Sequence, residues 1–480
     1  MNRKVAVIGA GTMGSGIGQV AATAGHEVVV IDRDASALDR GRQLLAKSIG
    51  ALVARSRLDR DDADTIVARI GWSQELGDAA DAGLIIEAVL EDLDVKHRLF
   101  ADLGALAARD AIVASNTSSL SISEMARSLR HPERFAGLHF FNPVPAMKLV
   151  EVVAGAETNP VVVEQLTRLM AAWGKHAVAV KDVPGFIVNR VARPFYAEAF
   201  LALDEGIPAA LIADAISSGG GFRMGPLTLA DMIGHDVNYA AARSVFDGIS
   251  PHARFRPQPA QARLLDEGRL GRKSGRGVYD YGAAEKTGQV DQTTASQRPA
   301  PQIAVAQDAQ DFLWLSGRLS TSPATGIPAG SISVDGVIVA KGDGRTLDQR
   351  REVDVLLDHV HDHAISPVLI ASARDERSAA AAADLAFALD KRLLLLPDRP
   401  GQIVLRTLAQ LVNGAADAVE DGIAPANAID EAMIHGANYP RGPLAWARDF
   451  GPARLKQTLL HIAAGTDDLL YSPSRGLDRL

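Results

Sequence analysis

The chain of 480 residues is too long for one hydrophobic core, and at usual domain sizes of roughly 100–200 residues it should hold several. Apolar residues at 47% and charged residues at 22% describe a globular protein, and the apolar runs are too short to span a bilayer, so no membrane span is expected. A net charge of −8 spread along the chain argues against nucleic acid as a partner, and the lack of cysteine excludes disulfides, thiolate nucleophiles and Cys-ligated zinc.

The opening MNRKVAVIGAG runs straight into an apolar strand without the pattern of a secretory signal, and the expected compartment is the cytoplasm. Strand VAVI leads into Gly9-Ala10-Gly11-Thr12-Met13-Gly14, a helix-compatible stretch and a second strand, EVVVID, ending on Asp32. In that order the residues form a dinucleotide fingerprint. Gly9 makes the tight turn, Gly11 lets the backbone approach a pyrophosphate, and Gly14 allows close helix packing. Thr12 and Met13 open the helix whose N-terminus offers N–H donors to the phosphates. Asp32 is placed to accept from ribose hydroxyls and to repel a 2′-phosphate, which favours NAD over NADP, although Arg33 stands beside it.

LIIEAV, AIVASN and HAVAV continue an alternation of apolar runs and amphipathic stretches, so residues 1–183 are read as a Rossmann-like α/β NAD-binding domain. Ser115-Asn116-Thr117-Ser118-Ser119 follows strand AIVA, where open α/β sheets place ligand loops, and one of these serines is expected to cap the next helix. Residues 137–153, GLHFFNPVPAMKLVEVV, place His139 on one strand and Glu151 on the next. A carboxylate between Val150 and Val152 either faces solvent or needs a partner, and His139 is the candidate. Such a pair suits alcohol oxidation, the imidazole taking the hydroxyl proton while the carboxylate orients it. Residue type alone favours a hydrogen-bonded structural histidine and a surface glutamate.

From residue 184 to 282 strand signals give way to helical patterns, including PGFIVNR with Asn189 on its first helix. Residues 283–300 read as a polar linker, 301–398 as a small α/β module, and 399–480 as a second helical copy. PGFIVNRVARPFYAEAFLALDEG is echoed by PGQIVLRTLAQLVNGAADAVEDG, and GPLTLADMIG by GPLAWARDFG. The second copy carries Leu405 where the first has Asn189, and neither a glycine fingerprint nor an HFFNP-like segment precedes it. It is therefore expected to be non-catalytic and to pack on the first copy as an intrachain pseudo-dimer. His359, His361 and His363 lie in VDVLLDHVHDHA, read as a helix, with His359 and His363 on one face. No metal is expected there.

SNTSSLSI, RFAGLHFFNPVPAMKLVEVV, PGFIVNRVARPFYAEA and GRLGRKSGRGVYDY occur in order, and over residues 4–282 the chain resembles the 3-hydroxyacyl-CoA dehydrogenase family. The resemblance implies oxidation of a (3S)-3-hydroxyacyl-CoA to the 3-oxoacyl thioester by NAD. It implies His139 as general base, Glu151 as its partner, and Ser118 and Asn189 as polar groups around the substrate oxygen. It further implies nicotinamide-side contacts from Glu91, Lys96 and Asn116, with Ser118 and Asn142 beside them. Coenzyme A contacts fall to Ser48 and to Arg55, the latter where relatives carry a lysine. A homodimer is the assembly it suggests. The arrangement with linker, α/β module and second helical copy is similar to the 3-hydroxyadipyl-CoA dehydrogenases of phenylacetate degradation. A 3-hydroxybutyryl-CoA or other fatty-acyl dehydrogenase is the alternative within the family. A non-catalytic NAD-binding protein on the same fold is the alternative outside it, and the intact His139, Glu151, Ser118 and Asn189 argue against that one.

Overall fold

The computed structural model describes residues 4–249, 253–282 and 300–480, so the linker expected at 283–300 falls, apart from its last residue, outside the described residues. The chain forms two compact units. Residues 1–190 with 421–437 make the first, and 191–420 with 438–480 the second.

The first unit is built on eight strands: β1 (Val5–Ile8), β2 (Val28–Ile31), β3 (Ile70–Ser73), β4 (Leu84–Glu87), β5 (Ile112–Ser115), β6 (Phe135–Phe140), β7 (Leu149–Ala154) and β8 (His176–Lys181). They lie in the order β3-β2-β1-β4-β5-β6-β7-β8, and every neighbouring pair is parallel except β6 and β7. Strands β1 and β2 are buried along their whole length, as central parallel strands covered on both faces must be. Because the chain leaves β1 and β4 in opposite directions, the carboxyl ends of these two strands form a switch-point crevice. Helix Ala35–Ala54 turns Leu38, Gly41, Leu45 and Ile49 inward at helical spacing, and Asp34 caps it by accepting from the Ser36 N–H. Helix Ala426–Ala437, from the C-terminal part of the chain, also belongs to this unit and packs on β7 and β8. There the Lys181 N–H donates to the Ile423 carbonyl at 3.1 Å, and Gly436 lies so close to Leu149 that a Cβ would collide with it.

The second unit contains β9 (Ile303–Ala306), β10 (Thr321–Ala324), β11 (Ser331–Val334), β12 (Val337–Lys341), β13 (Val355–Leu357), β14 (Val368–Ala373) and β15 (Arg392–Leu395), ordered β10-β9-β11-β12-β13-β14-β15. Its helical part pairs helix Arg193–Asp204 with helix Val404–Glu420. Between them Glu198 and Arg406, both almost fully buried, meet at 2.8 Å, and the Tyr471 hydroxyl joins them, accepting from Arg406 Nε at 2.7 Å and donating to Glu198 at 3.2 Å. The same sequence motif makes different helices in the two copies. Pro194 near the start of helix Arg193–Asp204 cannot continue the preceding turn, so Val188–Val191 stands apart. Gln410 at the matching position lets Val404–Glu420 run unbroken.

The structure corrects two local expectations. Val355–Leu357 is strand β13 rather than part of a helix, and residues 358–364 form a loop, so His359 and His363 share no helix face. A short apolar run such as VLL fits either period, and pairing with β12 and β14 on both sides decides it. The cap of helix Ile122–Ala126 is Ser121, not one of the serines at 115–119.

The repetition also reaches further upstream than the echoed sequence. β5, β6, β7, helix Pro160–Ala172 and β8 recur as β12, β13, β14, helix Glu376–Ala388 and β15, with the same succession of parallel, antiparallel and parallel pairing. Both series end in the same turn, Gly185 and Phe186 at φ 75° and 48°, Gly401 and Gln402 at 73° and 53°.

Candidate active site

At the crevice, Gly9 has φ 108°, and a Cβ there would lie 2.5 Å from the Ala88 carbonyl oxygen of the neighbouring strand end. A Cβ on Gly14 would overlap the Gly9 carbonyl, so this glycine permits helix Thr12–Thr23 to start hard against the turn. Gly11 differs: it caps that helix with no side-chain hydrogen bond, and a Cβ would meet nothing within 4 Å. The space it leaves lies at the N-terminal end of Thr12 and Met13, where the helix offers N–H donors and a positive dipole end to a phosphate group. The residues present thus fit a dinucleotide. Asp32, at the end of β2, accepts from the Ala10 N–H at 2.9 Å and the Asp34 N–H at 3.0 Å, which anchors its carboxylate beside the glycine turn.

Beyond β4 and β5 the polar groups form one network. Lys96 is buried and reaches Glu87 at 2.7 Å and Glu91 at 3.0 Å. Glu91 also accepts from the Thr117 hydroxyl at 2.5 Å, the Ser118 N–H at 3.0 Å and the Ser119 hydroxyl at 2.9 Å. Burial pushes the Glu91 carboxyl up, but Lys96 and these hydroxyls outweigh it and hold the group below the usual carboxylate range. Glu87 is fully buried under Lys96, taking hydrogen bonds from the Ser115 hydroxyl at 2.6 Å and the Val89 N–H at 2.7 Å. Sequence reasoning passed over it, and its only signal was a carboxylate ending an apolar strand. Asn116 accepts the Phe140 N–H at 2.9 Å through Oδ1, tying this loop to the strand that bears His139.

β6 and β7 are antiparallel in a register that sets His139 opposite Glu151. The His139 Nδ1 lies 2.7 Å from Glu151 Oε2, with the carboxylate fully buried and the imidazole 8% exposed. The other carboxylate oxygen accepts the N–H groups of Ile187 at 2.9 Å and Val188 at 3.0 Å. Glu151 is therefore held at three points, and Asn189 follows directly on the amides that hold it. Phe141 and Phe186 flank the imidazole at 4.4 and 5.7 Å between ring centres. With Nδ1 engaged, Nε2 is the ring nitrogen left to exchange a proton, and among the described residues it makes no hydrogen bond. The loop at 141–148, which contains the exposed Asn142, is pinned by Lys175, whose amine donates to the carbonyls of Val144 at 2.5 Å and Met147 at 2.7 Å. Burial lowers the Lys175 amine to about 8. This residue, too, carried no sequence signal.

Ser48 lies half-buried on helix Ala35–Ala54 and exposed Arg55 caps its C-terminal end. Seven residues apart, they sit near one face, about 10 Å along the helix axis. Neither is bonded to the network around His139. Among the described residues no three of His, Asp or Glu are arranged to hold a metal ion, and no helix is long and apolar enough to cross a membrane.

A doubly wound sheet with a glycine turn at its switch point, and a buried His–Glu pair three strands away, define a nicotinamide-dependent dehydrogenase. Residues 4–183 match the family described as 3-hydroxyacyl-CoA dehydrogenase, NAD binding domain, and residues 185–281 and 401–480 each match its C-terminal domain. The chain belongs to the 3-hydroxyacyl-CoA dehydrogenase family and is an NAD-dependent oxidoreductase. It is 38% identical over 475 residues to the 3-hydroxyadipyl-CoA dehydrogenase of Escherichia coli strain K12, covering 98% of this chain and 95% of that one. It is 40% identical to a probable 3-hydroxybutyryl-CoA dehydrogenase of Deinococcus radiodurans, which spans 58% of this chain and is matched over all its length. Among solved structures, a 3-hydroxybutyryl-CoA dehydrogenase from Escherichia coli K12 superposes with a TM-score of 0.90 at 37% identity, over 100% of this chain and 98% of that one.

Proposed function

We propose that this dehydrogenase oxidises 3-hydroxyadipyl-CoA, with His139 as proton acceptor and Glu151 as the group that orients it. The observation that carries the reading is the buried His139–Glu151 contact of 2.7 Å, in which Glu151 also takes two backbone N–H groups. A carboxylate so fixed keeps Nδ1 protonated and Nε2 basic, and it stabilises the imidazolium once the 3-hydroxyl proton arrives. NAD, when bound, supplies the hydride acceptor. Ser118 and Asn189 hold the oxygen that becomes the ketone, Glu91, Lys96, Asn116 and Asn142 border the nicotinamide end, and Ser48 and Arg55 meet coenzyme A. The choice of the adipyl thioester rests on likeness over nearly the whole chain, second helical copy included, to a relative named for that substrate.

The compartment we assign is the cytoplasm, and the intrachain pairing of helices Arg193–Asp204 and Val404–Glu420 supports a pseudo-dimer within one chain. The substrate test compares kcat/KM for 3-hydroxyadipyl-CoA and 3-hydroxybutyryl-CoA by NADH absorbance. A clear preference for the adipyl thioester is expected. Equal or better use of the butyryl thioester, the substrate in the name of the solved structure of TM-score 0.90, would replace this reading with that one.

A further inference from the structure

The second unit preserves the framework around the His139–Glu151 pair but not the pair. In the matched strand registers Leu357 takes the place of Leu138 and Ala371 that of Val152, so Asp358 stands where His139 does and Ile370 where Glu151 does. Asp358 is buried and takes the N–H groups of Ile403, Val404 and Leu405 at 3.0, 2.8 and 2.9 Å, the helix start that corresponds to the one gripped by Glu151. The histidine–glutamate pairing across the two strands is therefore absent from the second unit.

A pocket of about 300 Å³ nevertheless opens at the carboxyl ends of β12 and β13, the same end of the framework that carries His139 in the first unit. That is within the lower range of small-ligand sites. Its ionic lining is mostly self-neutralised: Arg454 grips Asp311 through two bonds of 2.9 and 2.7 Å, and Arg441 meets Asp449 at 2.7 Å. Lys341, at the position of Asn116, is the exception. Its ammonium lies 2.7 Å from His363 Nε2 and pairs with no carboxylate among the described residues. Burial lowers this amine to about 8, so it remains charged at neutral pH. Burial first, and the charge of Lys341 second, hold His359 down to about 3 and His363 to about 2, leaving both imidazoles neutral. His363 is also fixed by stacking on Trp314 at 4.0 Å. Among the described residues the pocket thus holds one cation with no carboxylate in contact, beside neutral rings, with Trp446, Phe450 and Leu405 as an apolar wall.

We propose that this pocket is a second binding site, for a small organic anion whose carboxylate or phosphate group pairs with Lys341 while its apolar part rests on Trp446 and Phe450. The nearest carboxylates, Asp311 and Asp358, act on this amine only at longer range and are taken by Arg454 and by backbone N–H groups, so a largely buried amine gains more from a contacting anion than an exposed lysine would. The site does not depend on which thioester the first unit oxidises, because the test reads binding rather than turnover.

The experiment titrates the full-length, NAD-loaded protein with adipate and, separately, with inorganic phosphate, following tryptophan fluorescence and calorimetric heat. Saturable binding of at least one anion is expected, and which of the two binds distinguishes a carboxylate site from a phosphate site. Lys341→Met should weaken that binding by about tenfold or more, the loss of one charge-assisted hydrogen bond. Lys341→Arg should retain most of it, and both variants should keep wild-type turnover without added anion. Absence of saturable binding for either anion would overturn the proposal. So would unchanged affinity in Lys341→Met, or equal loss in the arginine variant.

Discussion

Replacing Glu151 by glutamine tests the catalytic reading most directly, because the change keeps shape and removes charge. The parent carboxylate accepts from three donors, His139 Nδ1 on one oxygen and the Ile187 and Val188 amides on the other. An amide has only one acceptor oxygen, so it must fail one side. If its oxygen stays with the backbone amides, its NH₂ faces His139 and forces the imidazole into the tautomer with hydrogen on Nε2, which cannot take a proton. If it turns round, the NH₂ confronts two buried N–H donors, at a cost of about 1–3 kcal/mol for each donor left unsatisfied. The first arrangement is the cheaper. A wrong tautomer together with an unstabilised imidazolium lowers kcat by roughly 10³–10⁴, judged from comparable carboxylate–histidine arrangements. NAD affinity should stay within about twofold, since the glycine turn lies elsewhere on the sheet. Steady-state NADH formation, NAD titration and thermal unfolding measure the three quantities together. A variant that kept kcat within tenfold of the parent, or lost activity only through KM, would refute the orienting role.

Gly14→Ala should abolish NAD binding and lower Tm, because its methyl group overlaps the Gly9 carbonyl; calorimetric titration with NAD checks this, and near-normal affinity would show the turn to be pliable. Arg406→Met leaves Glu198 buried without its partner and should cost about 3–5 kcal/mol in denaturant unfolding, much of it recovered by adding Glu198→Met. Lys175 gives a pH dependence of defined sign. Its amine releases its proton at about 8 in the folded chain against 10.5 for an ordinary lysine, so between these values the unfolded chain holds more protons and stability from this group rises with pH. Lys175→Met should remove that rise, as unfolding curves across the interval will show, and should raise KM by freeing the loop at 141–148.

The chemistry that depends on local order was legible in the chain. A glycine turn between strand and helix, an acidic residue at the end of the next strand, and a duplicated helical motif are written in neighbouring residues, where backbone sterics and periodicity act. The sequence also marked out His139 and Glu151 as a candidate pair, but it could not bring them into contact. Their meeting depends on the antiparallel register of β6 and β7 and on helix-start amides arriving from residues 187 and 188. Nor could sequence give the buried Glu87 under Lys96, or the Lys175 amine that pins a distant loop, because one buried side chain carries no period. The strand nature of Val355–Leu357 was decided by neighbours on both sides. With it came the recognition that β12 to β15 repeat β5 to β8, a likeness kept in hydrogen-bond pairing after most side chains had changed. A sheet constrains which backbone groups pair and which positions face inward, while many apolar side chains satisfy the same face. Tertiary structure therefore retained the second framework, with Asp358 in the place of His139, where the residue pattern no longer announced it.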